Sequence, residues 1–170
     1  MSHCFSWSQR RRKVGPSARS MRTLTPIFAS VPETLTTERL LLDPLRVDDA
    51  EEMAPLLADP GLHTYIGGAP ASVGELRERY RRQVGGRSPD GSQLWSNWVV
   101  RRRDSGHAAG TVQATIGVQD DAPVAEVAWV VATPYQRRGY AREAAAEMVR
   151  WLRQQGIGVV VAHVHPEHAA

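Results

Sequence analysis

The run Val124 to Val131, V-A-E-V-A-W-V-V, reads as a strand, and the segment directly behind it constrains the fold more than any other feature. Tyr135 to Ala141 read Y-Q-R-R-G-Y-A, a short loop bearing one glycine, and Ala141 to Gln155 then carry an alanine-rich helical pattern. Strand, loop and helix start therefore succeed one another without a gap. Such a junction aims successive backbone N–H groups and the positive end of a helix dipole at one spot, where an anion binds. Gly139 lets the backbone approach that anion without a Cβ clash. Arg137, Arg138 and Arg142 add positive charge beside it.

A chain of 170 residues is most simply one domain with room for a real core. No apolar run approaches a membrane span, so no membrane association is expected. The single cysteine, Cys4, excludes an intrachain disulfide framework and fits a reducing, cytoplasmic setting. The net charge of +3 conceals an asymmetry. Residues 1–32 hold six basic residues and no Asp or Glu, while the other 15 basic and 18 acidic residues leave the body at −3. A mildly acidic body gives no general nucleic-acid surface. The basic stretch has few large apolar residues, so residues 1–34 are expected to be a disordered tail and 35–170 the folded domain.

Along the body, Glu38 to Leu45 reads as a first strand entered from a Pro/Thr-rich linker. Asp48-Asp49-Ala50-Glu51 has capping-box spacing and opens a short helix towards Ala58, which Pro55 bends or shortens and Asp59-Pro60-Gly61 ends. Ser72-Val73-Gly74-Glu75 is a second box, followed by Leu76, Tyr80 and Val84 at four-residue spacing and by Gly85-Gly86. Trp95 to Arg101 and Gly110 to Val118 are β-rich, with Asp104-Ser105-Gly106 as the turn between them. Asp120-Asp121-Ala122-Pro123 is a further turn. The helix over 141–155 is expected to bury Ala145, Met148, Val149 and Leu152, and Gly158 to Val164 to form a strand buried on both faces.

The hexapeptide Gln136-Arg137-Arg138-Gly139-Tyr140-Ala141 fits Q/R-x-x-G-x-G/A, and here the chain resembles the GNAT acetyltransferase superfamily. It is most similar to the branch that includes acetyltransferases of ribosomal-protein N-termini and small amines. The resemblance covers about residues 35–170. It implies an α/β fold with a mixed, mostly antiparallel central sheet and helices on both faces. In the family another helix and two further strands come after the last strand seen here. With Ala170 as the final residue, the chain is expected to lack them and to expose a sheet edge.

The resemblance also implies a co-substrate, acetyl-CoA, and no metal. Its pyrophosphate would lie on the 136–142 segment: Gln136, Arg137, Arg138, Gly139, Tyr140, Ala141 and Arg142. Its pantetheine arm would run along the backbone of Trp129, Val130 and Val131 like an added strand, with an N–H near Val131 polarising the thioester oxygen. The acceptor would be a small-molecule amine or a protein N-terminus, with a homodimer left open. Glu126, the one charged residue of its strand, matches a glutamate many members use as a base, often through water. Trp95 and Asn97 are candidates for the acceptor pocket, with the loop Tyr65 to Pro70 over it. The general acid has no clear candidate, although Tyr135 and Tyr140 flank the loop. Two other readings remain: a catalytically silent acyl-CoA-binding module, and a zinc hydrolase built on His163, His165 and His168.

Overall fold

The computed structural model describes residues 32–163. Most of the expected basic tail, and residues 164–170 with His165 and His168, lie outside the described residues. Among the described residues six strands form one sheet in chain order. They are β1 (Leu35–Thr36), β2 (Leu40–Pro44), β3 (Leu94–Arg102), β4 (Ala108–Gln119), β5 (Ala122–Val131) and β6 (Val159–Ala162). All neighbours are antiparallel except β5 and β6, which run parallel. Among the described residues four α-helices accompany them: α1 (Ala50–Leu56), α2 (Pro60–Ile66), α3 (Val73–Val84) and α4 (Tyr140–Gln154). This is the mixed, mostly antiparallel α/β architecture expected, with helices on both faces.

Period-two alternation sorts the strands. Trp98, Val112, Ala114, Ile116, Ala125 and Val127 turn to α4 and meet Ala144, Met148, Trp151 and Leu152. Trp98 and Trp151 pack edge to face with ring centroids 5.1 Å apart. On the opposite face, Val99 and Ala108 pack with Met53 and Ala54 of α1 and Leu76 and Tyr80 of α3. Each such burial stabilises by about 1.5–3 kcal/mol for a full-sized aliphatic side chain. β4 and β5 cross so closely at Gly110 that a Cβ there would lie 2.0 Å from the Val130 carbonyl oxygen.

Several local expectations need correction. Asp59-Pro60-Gly61 does not merely end α1; it opens α2, because the Asp59 carboxylate accepts the Gly61 N–H at 2.8 Å and Pro60 needs no donor at the first helical position. The first capping box is built two residues earlier than expected, with the Arg46 N–H donating to Asp49 at 2.7 Å. The second forms as expected, the Ser72 N–H donating to Glu75 at 2.8 Å. In α4 the buried line runs through Ala144 and Trp151, leaving Ala145 and Val149 half-buried. Val84, four residues on from the buried Tyr80, is exposed. The last strand is the largest departure. Among the described residues β6 is a sheet edge, and Val159 and Val161 are exposed instead of buried on both faces.

Candidate active site

Strand β5 carries most of the candidate chemistry, and its pairing explains how. The Ala132 N–H donates to the Ala109 carbonyl at 2.9 Å. With the regular β4–β5 register, even-numbered residues of β5 bond β4, and odd-numbered residues turn their amides to the far edge. That edge pairs with β6 only from Val124 to Val127. Among the described residues β6 offers no counterpart to Trp129 and Val131, so their N–H groups lie along a margin that no strand pairs.

The loop begins where that margin ends. A 3-10 turn, Thr133–Tyr135, swings the chain away. The Gln136 side chain then reaches back, its Nε2 donating to the Val131 carbonyl at 3.0 Å. Arg137 has a positive φ of 58° and Gly139 one of 78°. Gly139 is the N-cap of α4 and supplies no capping side chain. The contrast within the molecule is clear: α2 starts on the Asp59 carboxylate and α3 on the Ser72–Glu75 box. The fifteen-residue α4 instead opens with bare backbone donors at the positive end of its dipole. Arg137, Arg138 and Arg142, next to that start in sequence, are exposed, and Tyr140 is buried with the core. Arg102 and Arg138 both lie over the Tyr135 ring, at 5.5 Å and 6.0 Å.

Glu126 lies on the sheet face opposite α4. Register places Trp95, Thr115, Glu126 and Val161 in one row across four strands, and Asn97, Gln113 and Ala128 in the next. Trp95 and Asn97 thus share a face with Glu126, two strands or roughly 10 Å away. The Glu126 side chain, the one charge in an otherwise apolar strand, is 47% exposed and 3.6 Å from His163 Nε2. From Glu126 to Val131 is roughly 17 Å along the strand, so this carboxylate reaches the free margin only through water or an acceptor lying along the face.

Sequence reasoning missed the supports. Asp59 accepts the Thr133 hydroxyl at 2.5 Å, tying α2 to the turn before the loop. The Thr133 bond and the Gly61 amide hold its carboxyl below the ordinary value. Glu143, in the first turn of α4, accepts bonds from Thr37 at 2.6 Å and from the Arg39 side chain at 2.7 Å. Burial alone would raise this carboxyl, but those bonds and the Arg39 charge outweigh it and hold it low. Such contacts span about a hundred residues and leave no local signal. Gln113 and Thr115 could have been found, because T-V-Q-A-T over 111–115 alternates polar with apolar. A shallow depression of about 340 Å³, lined by Glu52, Leu56, His107 and Tyr135 among others, lies at the far end of β4 from Thr115. Among the described residues no group of three His, Cys, Asp or Glu side chains is arranged to hold a metal, and no helix is long and apolar enough to cross a membrane.

With this strand–loop–helix junction in place, known proteins of like sequence and shape agree with the geometry. Residues 39–170 match the family model described as an acetyltransferase (GNAT) domain, and the chain belongs to that family. It is an acyltransferase, of a family that passes an acetyl group to an amine. No curated protein matches it. Among solved structures it is similar to the acetyltransferase from Agrobacterium tumefaciens, with 26% identity and a TM-score of 0.58 over 81% of this chain and 77% of that one. A GNAT-family acetyltransferase from Bacillus anthracis is 20% identical, with a TM-score of 0.65 over 79% and 75%. The Salmonella typhimurium enzyme that modifies the N-terminal serine of ribosomal protein L7/L12 is 13% identical, with a TM-score of 0.66 over 80% and 77%. At the lower two identities the likeness is one of fold.

Proposed function

We propose that this chain takes an acetyl group from acetyl-CoA and delivers it to a primary amine while both are bound. The observation that carries the reading is the uncapped glycine start of α4, set directly after the free margin of β5. The amides from Arg137 to Ala141 would hold the pyrophosphate, with Gln136 and Tyr140 shaping the loop and Arg137, Arg138 and Arg142 supplying charge. The odd-numbered amides of Trp129 and Val131 would hold the pantetheine arm, with Val130 between them tied to β4. Acetyl-CoA supplies an acetyl group already activated as a thioester. The chain's own part is to orient that group, to place the amine and to hold its proton.

In the transfer the amine nitrogen bonds to the thioester carbon, the carbon–sulfur bond breaks and the sulfur leaves as thiolate, which takes a proton from water. The Val131 N–H lies on the margin where the carbonyl oxygen would rest, so it is the donor assigned to that oxygen. Glu126 takes the amine's proton through water, as its distance from the margin requires. Trp95, Asn97, Gln113 and Thr115 form the surface across which the acceptor lies. The Salmonella neighbour's substrate supports a protein N-terminus as acceptor, with a small amine as the alternative. One cysteine in the whole chain needs no oxidising compartment, and the cytoplasm is the assigned setting.

Gly139→Asp tests the reading. The left-handed φ of 78° strains any side chain, and the new carboxylate would stand against phosphate. Calorimetry with acetyl-CoA should show affinity weakened by about tenfold or more, equivalent to ~1.4 kcal/mol or above. Equal affinity in parent and variant overturns the assignment.

A further inference from the structure

The shape of the loop is set from the other end of the sheet. Arg39 stands in the turn between β1 and β2, and its side chain reaches the start of α4 at three points. Its Nη1 donates to the Arg138 carbonyl at 3.0 Å. Its Nε donates to Glu143 Oε2 at 2.7 Å, with Nη2 at 2.6 Å from the same oxygen. Its guanidinium lies 4.9 Å from the centroid of the Tyr140 ring. The Arg39 backbone N–H and the Thr37 hydroxyl both donate to Glu143 Oε1, at 2.9 Å and 2.6 Å. The turn itself is fixed from behind. Arg103 donates its N–H to the Arg39 carbonyl at 2.9 Å and its side chain to the Thr37 and Glu38 carbonyls.

These contacts have two effects. A trans peptide is planar, so its C=O and N–H point in opposite directions. Holding the Arg138 carbonyl towards Arg39 therefore aims the Gly139 N–H away from Arg39. Glu143 also puts a negative charge in the first turn of the helix whose N-terminus faces the anion, and the charge of Arg39 offsets it. We propose that Arg39 is a positioning residue, which sets the aim and the charge of the 136–142 loop and thereby the affinity for the diphosphate portion of the acyl donor. This rests on the reading that the loop holds acetyl-CoA.

The test uses the full chain and two donors, acetyl-CoA and S-acetyl-pantetheine, which has no diphosphate. In Arg39→Met the ratio of kcat/KM for acetyl-CoA to that for S-acetyl-pantetheine should fall about tenfold or more, and the Kd of acetyl-CoA should rise to match. Arg39→Lys keeps the charge opposite Glu143 but cannot bond carboxylate and carbonyl as a fork, so it should lie between parent and Arg39→Met. Adding Glu143→Gln to Arg39→Met should recover the part lost to charge and not the part lost to the carbonyl. An unchanged ratio overturns the proposal, as does an equal loss with both donors, which would mark general loosening. If Arg39→Met does not fold, Arg39→Lys carries the same comparison. A parent chain that binds no acetyl-CoA overturns the functional reading itself, and an outcome in which the parent binds and the variants bind equally removes only this inference.

Discussion

The two faces of the sheet are built from the same strands and have opposite fates. Towards α4 the alternation delivers Trp98, Val112 and Ile116 to Met148 and Leu152, all buried. Away from α4 the cover is partial. Helices α1 and α3 close over Val99 and Ala108 but leave Trp95, Asn97, Gln113 and Thr115 half-exposed, with Glu126 exposed beyond them. Over residues 111–116 of β4 one residue in two is therefore spent on packing, and the next presents a hydroxyl or an amide. A half-covered face of polar side chains beside a strand margin that is unpaired among the described residues is where the proposed transfer has room for two substrates. The sealed face can offer rigidity but no access.

If the sealed face supplies the rigidity, its damage should dominate stability. Trp151→Ala removes a side chain that is 2% exposed and packed against Trp98, and should cost about 3–5 kcal/mol in chemical unfolding. Trp151→Phe should cost far less, because the indole Nε1 is buried without a partner among the described residues and its loss removes an unpaired donor. Comparable losses in the two variants would show that the indole ring's shape, not its apolar bulk, seals this face.

The open face should answer in rate and not in stability. Glu126→Gln is nearly isosteric at an exposed position, so the unfolding midpoint should move by no more than about 0.5 kcal/mol in free energy. Turnover should fall about 10²–10⁴-fold with the acidic limb of the pH–rate profile flattened, while acetyl-CoA affinity stays at the parent value. Thiol release over a panel of amines measures this. A variant as fast as the parent at every pH assigns the proton to another group on the same face, with His163 the nearest.

The contrast between local and distant determinants explains how much was legible in the sequence. The junction from Val124 to Ala141 was legible because its determinants are local: a strand run, a glycine with left-handed backbone, an alanine-rich helix. Both faces were partly legible from period two, and Glu126, Trp95 and Asn97 do share one face through register. Other features depended on pairing partners distant in sequence. β6 looked doubly buried because Val159 to Val161 are apolar, but burial is a property of what lies beside a strand, and among the described residues only β5 does. The Arg39–Glu143 contact joins residues 104 apart, so neither end advertises the other. The second opening at Asp59-Pro60 was a missed local signal, since Asp followed by Pro starts a helix as readily as it stops one.

The smallest effect concerns how the covered end of the open face is held. Besides the apolar contacts of Met53 and Val99, an ionic group clamps α1 there. Arg101 donates to Asp49 at 2.7 Å and to Glu52 at 2.6 Å, and Glu52 also accepts the Ala108 N–H at 2.8 Å. Burial pushes the Glu52 carboxyl up, but the Ala108 amide and the Arg101 guanidinium outweigh it and leave the value below the usual 4.5. The unfolded chain thus holds this proton more tightly than the folded one, so the group's contribution is full above about pH 4.5 and is lost as pH falls through the lower folded value. Because the Glu52 side chain is 38% exposed, water screens the pair, and Glu52→Gln should cost about 1 kcal/mol or less at neutral pH. The difference between parent and variant should hold steady from about pH 6 to 8 and shrink below about pH 4.5, and should fall further in high salt. Melting curves over that range decide it. A gap that persists undiminished in acid would mean that Glu52 holds α1 by its shape and its neutral hydrogen bonds, and that the covered end, like the sealed face, depends on packing and not on charge.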